Sequence, residues 1–317
     1  MLTLLCLLAA DPATHAPVVP KPPAERTLAD YPLTGEYLAV VSDPEGGEVQ
    51  PRGLQVRPLP DAGGRLQYEF VSYFGGLPGS GWDGSVPERQ ALGVDIATFN
   101  LREVRQGYFK ITRQSPTMGL PVPEEGTVLF DAGAPSLDAW QDGAELQDGY
   151  LKAGARTKDN FEAMRLHLEY RLPFQPEKLD TWRGNSGAYV QDRYEVQVLD
   201  SFGDIIRENG AGSIYRLHTP PINAALPPGQ WQTLDILFRP AAFAGNLDSE
   251  DDYKKTRPAR MSVALNGVVL FHDVDVSSVT NGNHLPETPK PGPILLQDHG
   301  DPVVYRNVWV APADRDF

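Results

Sequence analysis

Apolar and polar residues alternate with a period of two through much of the chain. In Met164-Arg165-Leu166-His167-Leu168-Glu169-Tyr170-Arg171, Met, Leu, Leu and Tyr share one side and Arg, His, Glu and Arg the other. That period predicts a strand with one wet face, and it puts His167 on the wet side. Ala188-Tyr189-Val190 and Tyr194-Glu195-Val196-Gln197-Val198-Leu199 flank Gln191-Asp192-Arg193, which predicts two strands joined by a short hairpin connection. Met261–Leu265 runs through Asn266-Gly267 into Val268–Phe271. Asn-Gly between β-branched runs is a strong local hairpin signal, because both turn positions need positive φ. Two further strands are predicted over Gly292–Gln297 and Val303–Val310.

The first third carries shorter runs of the same kind: Tyr37–Val41, Gly53–Val56, Leu66–Val71 and Tyr108–Ile111, with a Gly-rich loop over Gly75–Gly84. They predict a small N-terminal β region over residues 31–120, with the boundary in the Pro-rich stretch Ser115–Gly126. Residues 11–30 lack periodicity and are rich in Pro, as a linker is. Helical periodicity is scarce, with room for one turn over Pro135–Gln141. Gly and Pro make up 60 of 317 residues, against roughly 12% in average usage. With 41% hydrophobic residues present, the excess means many tight turns rather than disorder. The pattern predicts an all-β chain whose main domain is a jelly-roll β-sandwich.

Charge narrows the partners. A net charge of −14 repels a phosphate backbone and argues against nucleic acid. Met1–Ala10 is apolar but too short to span a bilayer, which takes about 20 residues; it resembles the core of an export signal and predicts a periplasmic or extracellular protein. Cys6, the single cysteine, falls in that segment, so cleavage would leave no thiol for disulfides, catalysis or zinc. Signatures of serine hydrolases, zincins and nucleotide-binding loops are absent.

Candidate chemistry lies on the second part. Alternation puts Glu195 and Gln197 on one face, opposite Tyr194, Val196 and Val198; Leu295, Gln297 and His299 share a face in the same way. Polar residues at i, i+2 on a central strand mark a ligand-lined or solvated sheet face. A face lined by Glu, Gln, Asn, His and aromatics suits sugars. Trp182–Gly187 is a Gly-flanked polar turn, and Trp82 is expected to plug an interface. His218, His272 and His284 lack ligand spacing, which leaves a divalent metal open.

The ordered segments VLFDAG and LDAWQDG (from Val128), NFEAMRLHLEYRLP (from Asn160), RGNSGAYVQDRYEVQVLDSFG (from Arg183), GSIY (from Gly212), WQTLDILF (from Trp231), LNGVVL (from Leu265) and GPILLQDHGDPVVYRNVWV (from Gly292) resemble the 3-keto-disaccharide hydrolase domain family over residues 127–312. The GLPGSGWDG region looks like the extra N-terminal part of exported planctomycete-type members. The resemblance implies a concanavalin- or laminarinase-like jelly roll acting on glycosides oxidised to a ketone at C3. It also implies an upstream sugar 3-dehydrogenase that supplies them. A C3 carbonyl acidifies the C2 hydrogen, so one base removes it, the C1 substituent leaves by β-elimination, and water adds to the enone. Ordinary glycoside hydrolysis needs two carboxylates about 5–10 Å apart, whereas Glu195 shares its face with the amide Gln197.

Within that resemblance, Glu195 or His299 is assigned the proton transfers, and Arg183 polarises the ketone or stabilises the enediolate. Asn185, Gln197, Tyr215 and Gln297 position sugar hydroxyls, while Asp298 is a further substrate-binding or second carboxylate. A lectin-like carbohydrate-binding sandwich that turns nothing over fits the same residues. A structural or surface-attached β protein, tethered by residues 11–30, is the third reading.

Overall fold

The computed structural model describes residues 26–41, 50–93, 107–247, 252–282 and 284–313. The apolar leader, Cys6 and most of the predicted linker lie outside the described residues. The chain divides into two units, the first ending at Arg113 and taking in Phe174–Leu179, the second built from Gln114–Pro173 and from Asp180 onward.

The first unit is one antiparallel sheet of β1 (Gly35–Val41), β2 (Gln50–Pro60), β3 (Leu66–Phe74), β4 (Glu88–Gly93) and β5 (Tyr108–Ile111), in the order β4-β3-β2-β1-β5. Tyr31, Tyr37, Leu54, Val56, Tyr68 and Phe70 bury one face, and Phe174 packs on Tyr31 with centroids 5.5 Å apart. On the other face Gln55 donates to Glu36 (2.9 Å) and Tyr73 to Gln55 (2.8 Å), while Arg113 pairs with Glu36 at 2.6 Å. Trp82 lies edge-on to Tyr73 and donates to the Ser85 carbonyl, so its packing partners are inside this unit.

The second unit is a β-sandwich of jelly-roll type. Its larger sheet joins β6 (Thr127–Phe130), β7 (Leu146–Gln147), β8 (Tyr150–Lys152), β10 (Met164–Arg171), β13 (Trp231–Arg239), β16 (Ala259–Leu265), β17 (Val268–Val276) and β19 (Val304–Pro312). The smaller holds β9 (Ala155–Arg156), β11 (Ser186–Val190), β12 (Tyr194–Val198) and β18 (Leu295–Leu296), in the order β12-β11-β18-β9. A separate ribbon pairs β14 (Ala242–Gly245) with β15 (Tyr253–Arg257). No α-helix occurs among the described residues, and Pro135–Gln141 holds a turn at Asp138–Ala139 followed by an isolated bridge from Trp140 to Thr157.

The predicted alternation is what builds the core. Met164, Leu166, Leu168 and Tyr170 of β10 and Leu234, Ile236 and Phe238 of β13 are sealed from solvent with Ala188, Val190, Tyr194, Val196 and Val198 of the smaller sheet. Each Val, Leu, Ile, Phe or Met among them contributes roughly 1.5–3 kcal/mol on burial. Leu265 pairs with Val268 across Asn266 (φ 52°) and Gly267 (φ 76°), the two-residue hairpin that Asn-Gly predicts.

The outer face of β10 departs from expectation. His167 and Glu169 are 0% and 1% exposed, not wet, because Ser115–Leu120 runs across them. Thr117 Oγ1 donates to Asp235 (2.9 Å), Gly119 N to Glu169 (2.6 Å), and Asn307 and Trp309 reach the Leu120 carbonyl. Beneath this strap His167 Nδ1 meets Asp235 at 2.9 Å and its ring stacks on Trp309. The same bonds place residues 114–120 with the second unit, so the break falls at Arg113 rather than within 115–126.

Candidate active site

The polar face of the smaller sheet opens into a cavity of about 230 Å³. Register creates it: β11 and β12 pair so that Tyr189 stands opposite Glu195 and Gly187 opposite Gln197. These four share the face that points away from the core. The outer edge of β12 is closed by the loop at 212–215, where Gly212 N donates to the Gln197 carbonyl and Tyr215 N to that of Glu195. Thr280 Oγ1 accepts from Glu195 N at 2.9 Å, so the backbone carrying the carboxylate is held on both sides.

Glu195 is 3% exposed. Tyr189 donates to its Oε2 at 2.8 Å. Burial pushes the carboxyl up to about 7, against the opposing pull of the Tyr189 hydroxyl. Burial likewise pushes the Tyr189 hydroxyl up, further raised by the neighbouring carboxylate. Space for Glu195 depends on Gly187, where a Cβ would lie 2.3 Å from Oε1 and 3.0 Å from Cγ. Behind Tyr189, the ring of His284 lies edge-on and bonds buried Asp192 at 2.8 Å.

Around this centre the amides form a network. Gln197 Nε2 donates to Asn185 Oδ1 at 2.9 Å, Asn185 Nδ2 to the Thr181 carbonyl, and Asp301 accepts from Asn185 N. Gln297 is fixed by its backbone N on the Gly187 carbonyl and reaches Tyr189 at 3.4 Å. His299 stands exposed at the mouth. The cavity therefore brings together Asn185, Glu195, Gln197, Tyr215, Gln297 and His299 of the residues named from sequence.

Two of them lie elsewhere. Arg183 is 3% exposed and committed to Asp200 (3.1 Å) and Asp204 (3.1 Å), outside the lining. A guanidinium neutralised by two carboxylates has no charge to spare for a ketone, so the ketone-polarising assignment is corrected. Asp298 is exposed and caps its own turn through Gly300 N, away from the lining. Of the strand expected over 292–297, Leu295–Leu296 forms the regular ladder and Gly292 an isolated bridge to Phe161.

Four lining residues were missed: Tyr189, Arg216, Asn281 and Gly282. Counting across the three-residue connection after Val190 would have set Tyr189 against Glu195. Arg216 offers no such signal; it sits at φ 57° in a turn, its guanidinium 5.4 Å from the Tyr215 ring. No salt bridge joins it to a carboxylate among the described residues. Among the described lining residues Glu195 is the one carboxylate, and among all the described residues no group of three His, Cys, Asp or Glu converges with metal-ligand geometry.

Residues 125–311 match the model of the 3-keto-alpha-glucoside-1,2-lyase-like domain. The chain belongs to this family. Three crystal structures from Parabacteroides distasonis ATCC 8503, each named "putative glycosyl hydrolase", are similar to it. One is 28% identical with TM-score 0.54, covering 66% of this chain and 95% of that one. The others are 18% and 19% identical, with TM-scores of 0.43 and 0.39, covering 61% and 60% of this chain and 95% and 100% of their own. No curated protein matches the chain. The lyase-like domain, all but coextensive with the sandwich, makes this a carbohydrate-active enzyme.

Proposed function

We propose that the cavity cleaves 3-keto-glycosides by β-elimination followed by hydration. The observation that carries this reading is a single buried carboxylate, Glu195, held in a polar cavity with its pKa near neutrality. A base with a pKa close to the working pH combines a useful deprotonated fraction with the driving force to take a proton. An acid/base glycosidase would need a second carboxylate across the bond, and the described lining holds none.

Glu195 takes the C2 proton. The C2–H electron pair forms the enediolate with the C3 carbonyl, and Arg216, free of a carboxylate partner in the cavity, stabilises the oxyanion. The pair then becomes the C1–C2 double bond as the C1–O bond breaks. His299 at the mouth supplies the proton the leaving oxygen needs. Water adds across the resulting enone, returning the proton and giving net hydrolysis without redox change. Asn185, Gln197, Gln297 and Tyr215 orient the ring. With Gln197 Nε2 donated to Asn185, its Oε1 is left to accept from a sugar hydroxyl.

The test is a time course on a 3-keto-glucoside beside its unoxidised parent in deuterated water. The expected result is turnover of the keto form with deuterium entering at C2. Turnover of the parent would sink the elimination route. Binding of either sugar with no turnover would make this face a lectin-like site instead.

A further inference from the structure

Next to the cavity, the fold exposes apolar side chains that it does not use. Trp182 is 70% exposed, in the 3-10 turn Asp180–Trp182, and its indole lies edge-on to His299 with centroids 6.2 Å apart. This turn is not loose. Asn185 holds the Thr181 carbonyl, Arg183 N bonds the Asp180 carbonyl, and Asp180 pairs with Arg207. A second loop carries Ile205 and Ile206, 54% and 37% exposed. It is tied to the turn by the Arg207–Asp180 and Arg183–Asp204 pairs. The same loop also reaches the lining at Arg216, whose backbone N donates to the Glu208 carbonyl. Two loops that touch the lining at His299 and Arg216 thus present an indole and two Ile side chains to solvent, fastened by four charged groups. An apolar surface so placed and so rigidly held marks a binding surface rather than a core.

We infer that Trp182, with Ile205 and Ile206, forms the platform for the ring of the leaving group, the half of the glycoside expelled from C1. This rests on the cavity being a glycoside site. An indole offers its face to the apolar side of a ring, whether an aryl group or the C–H face of a second sugar. With this platform, buried Arg183 has a purpose it otherwise lacks: it fastens the loop of Ile205 and Ile206 to the turn that leads through Asn185 into β11.

The experiment measures Kd by NMR titration for methyl α-D-glucopyranoside, phenyl α-D-glucopyranoside and maltose, with wild-type protein, Trp182→Ala and Trp182→Phe. Wild type prefers the ring-bearing ligands over the methyl glucoside, and Trp182→Ala lowers that preference about tenfold while Trp182→Phe keeps most of it. Loss of the phenyl preference alone assigns an aryl leaving group, and loss of the maltose preference alone assigns a sugar. A wild type with no ring preference, failure to bind all three included, overturns the platform, as does a preference that survives in Trp182→Ala. Sedimentation gives a further arm: a dimer that Trp182→Ala dissolves assigns the patch to a second copy and also overturns it. Binding is read apart from chemistry. A lost ring preference in a protein that turns over no 3-keto-glycoside upholds the platform and sinks the proposed reaction; the opposite pair of results does the reverse.

Discussion

Two buried glutamates on opposite sheets of the same sandwich have been pushed in opposite directions. Glu195 and Glu169 are 3% and 1% exposed, and desolvation raises the pKa of both. Glu195 has one opposing partner, the Tyr189 hydroxyl, and ends at about 7. Against burial, Glu169 has His167, Asn307, the Gly119 amide and Arg306, and it ends at about 2. One is a carboxylate kept short of hydrogen bonds beside an open cavity; the other is saturated beneath a strap. Both are closed off from solvent, but Glu169 has four donors aimed at it and Glu195 one, and that difference does most to separate a structural acid from a reactive one here.

The largest test of this contrast exchanges both. Glu195→Gln lowers kcat on a 3-keto-glycoside by about 10²–10⁴-fold and raises thermal stability at pH 8. The sign follows from linkage: between its ordinary value and about 7, the unfolded chain has lost a proton that the native Glu195 keeps, so native stability falls as pH rises through that window. Removing the group recovers on the order of 3 kcal/mol. Glu169→Gln leaves kcat in place and destabilises by on the order of 2–3 kcal/mol, because Arg306 loses its partner. Denaturation curves of the two variants moving in the same direction would break the comparison.

Next in size is Gly187→Ala. The added methyl occupies the space of the Glu195 carboxylate, so activity drops about a hundredfold through misplacement of the base, with circular dichroism unchanged. Full activity would show that Glu195 tolerates displacement and is not the base.

A pH profile sharpens the contrast further. kcat/KM rises with pH through about 7 as Glu195 loses its proton, and Tyr189→Phe moves that inflection upward, because the hydroxyl's hydrogen bond favours the carboxylate. An inflection that stays put in the variant assigns the titration to another group.

The smallest effect concerns the strap. Glu169, held low, contributes stability that is complete above its ordinary pKa and lost as pH falls toward about 2. At His167, burial opposes the charge, but the hydrogen bonds the imidazole donates to the Asp235 and Glu169 carboxylates outweigh it and raise the pKa. Its contribution is therefore present below the ordinary imidazole value and fades as pH rises through the raised one. Melting temperature against pH for wild type and Glu169→Gln checks both limbs; parallel curves at low pH would remove Glu169 from the lock.

Much of the architecture was legible along the chain. Period-two alternation named β10 and β12 with their core faces, and Asn266-Gly267 named its hairpin. It also put Glu195 and Gln197 on one side and Gln297 and His299 on another, and all four line one cavity. Tyr189 was within reach of the same counting. Arg183 was not, since its charge is cancelled by Asp200, 17 residues away, and Asp204.

Alternation by itself determined which side of each strand a residue occupies, because the pleat turns every second side chain the same way whatever lies around it. What covers that side belongs to the tertiary structure. His167 follows the wet pattern of its strand and is sealed by residues 115–120; Glu195 follows the same pattern and faces a cavity. Coverage comes from segments distant in sequence, and it is coverage, together with the donors it brings, that sets a carboxylate's charge.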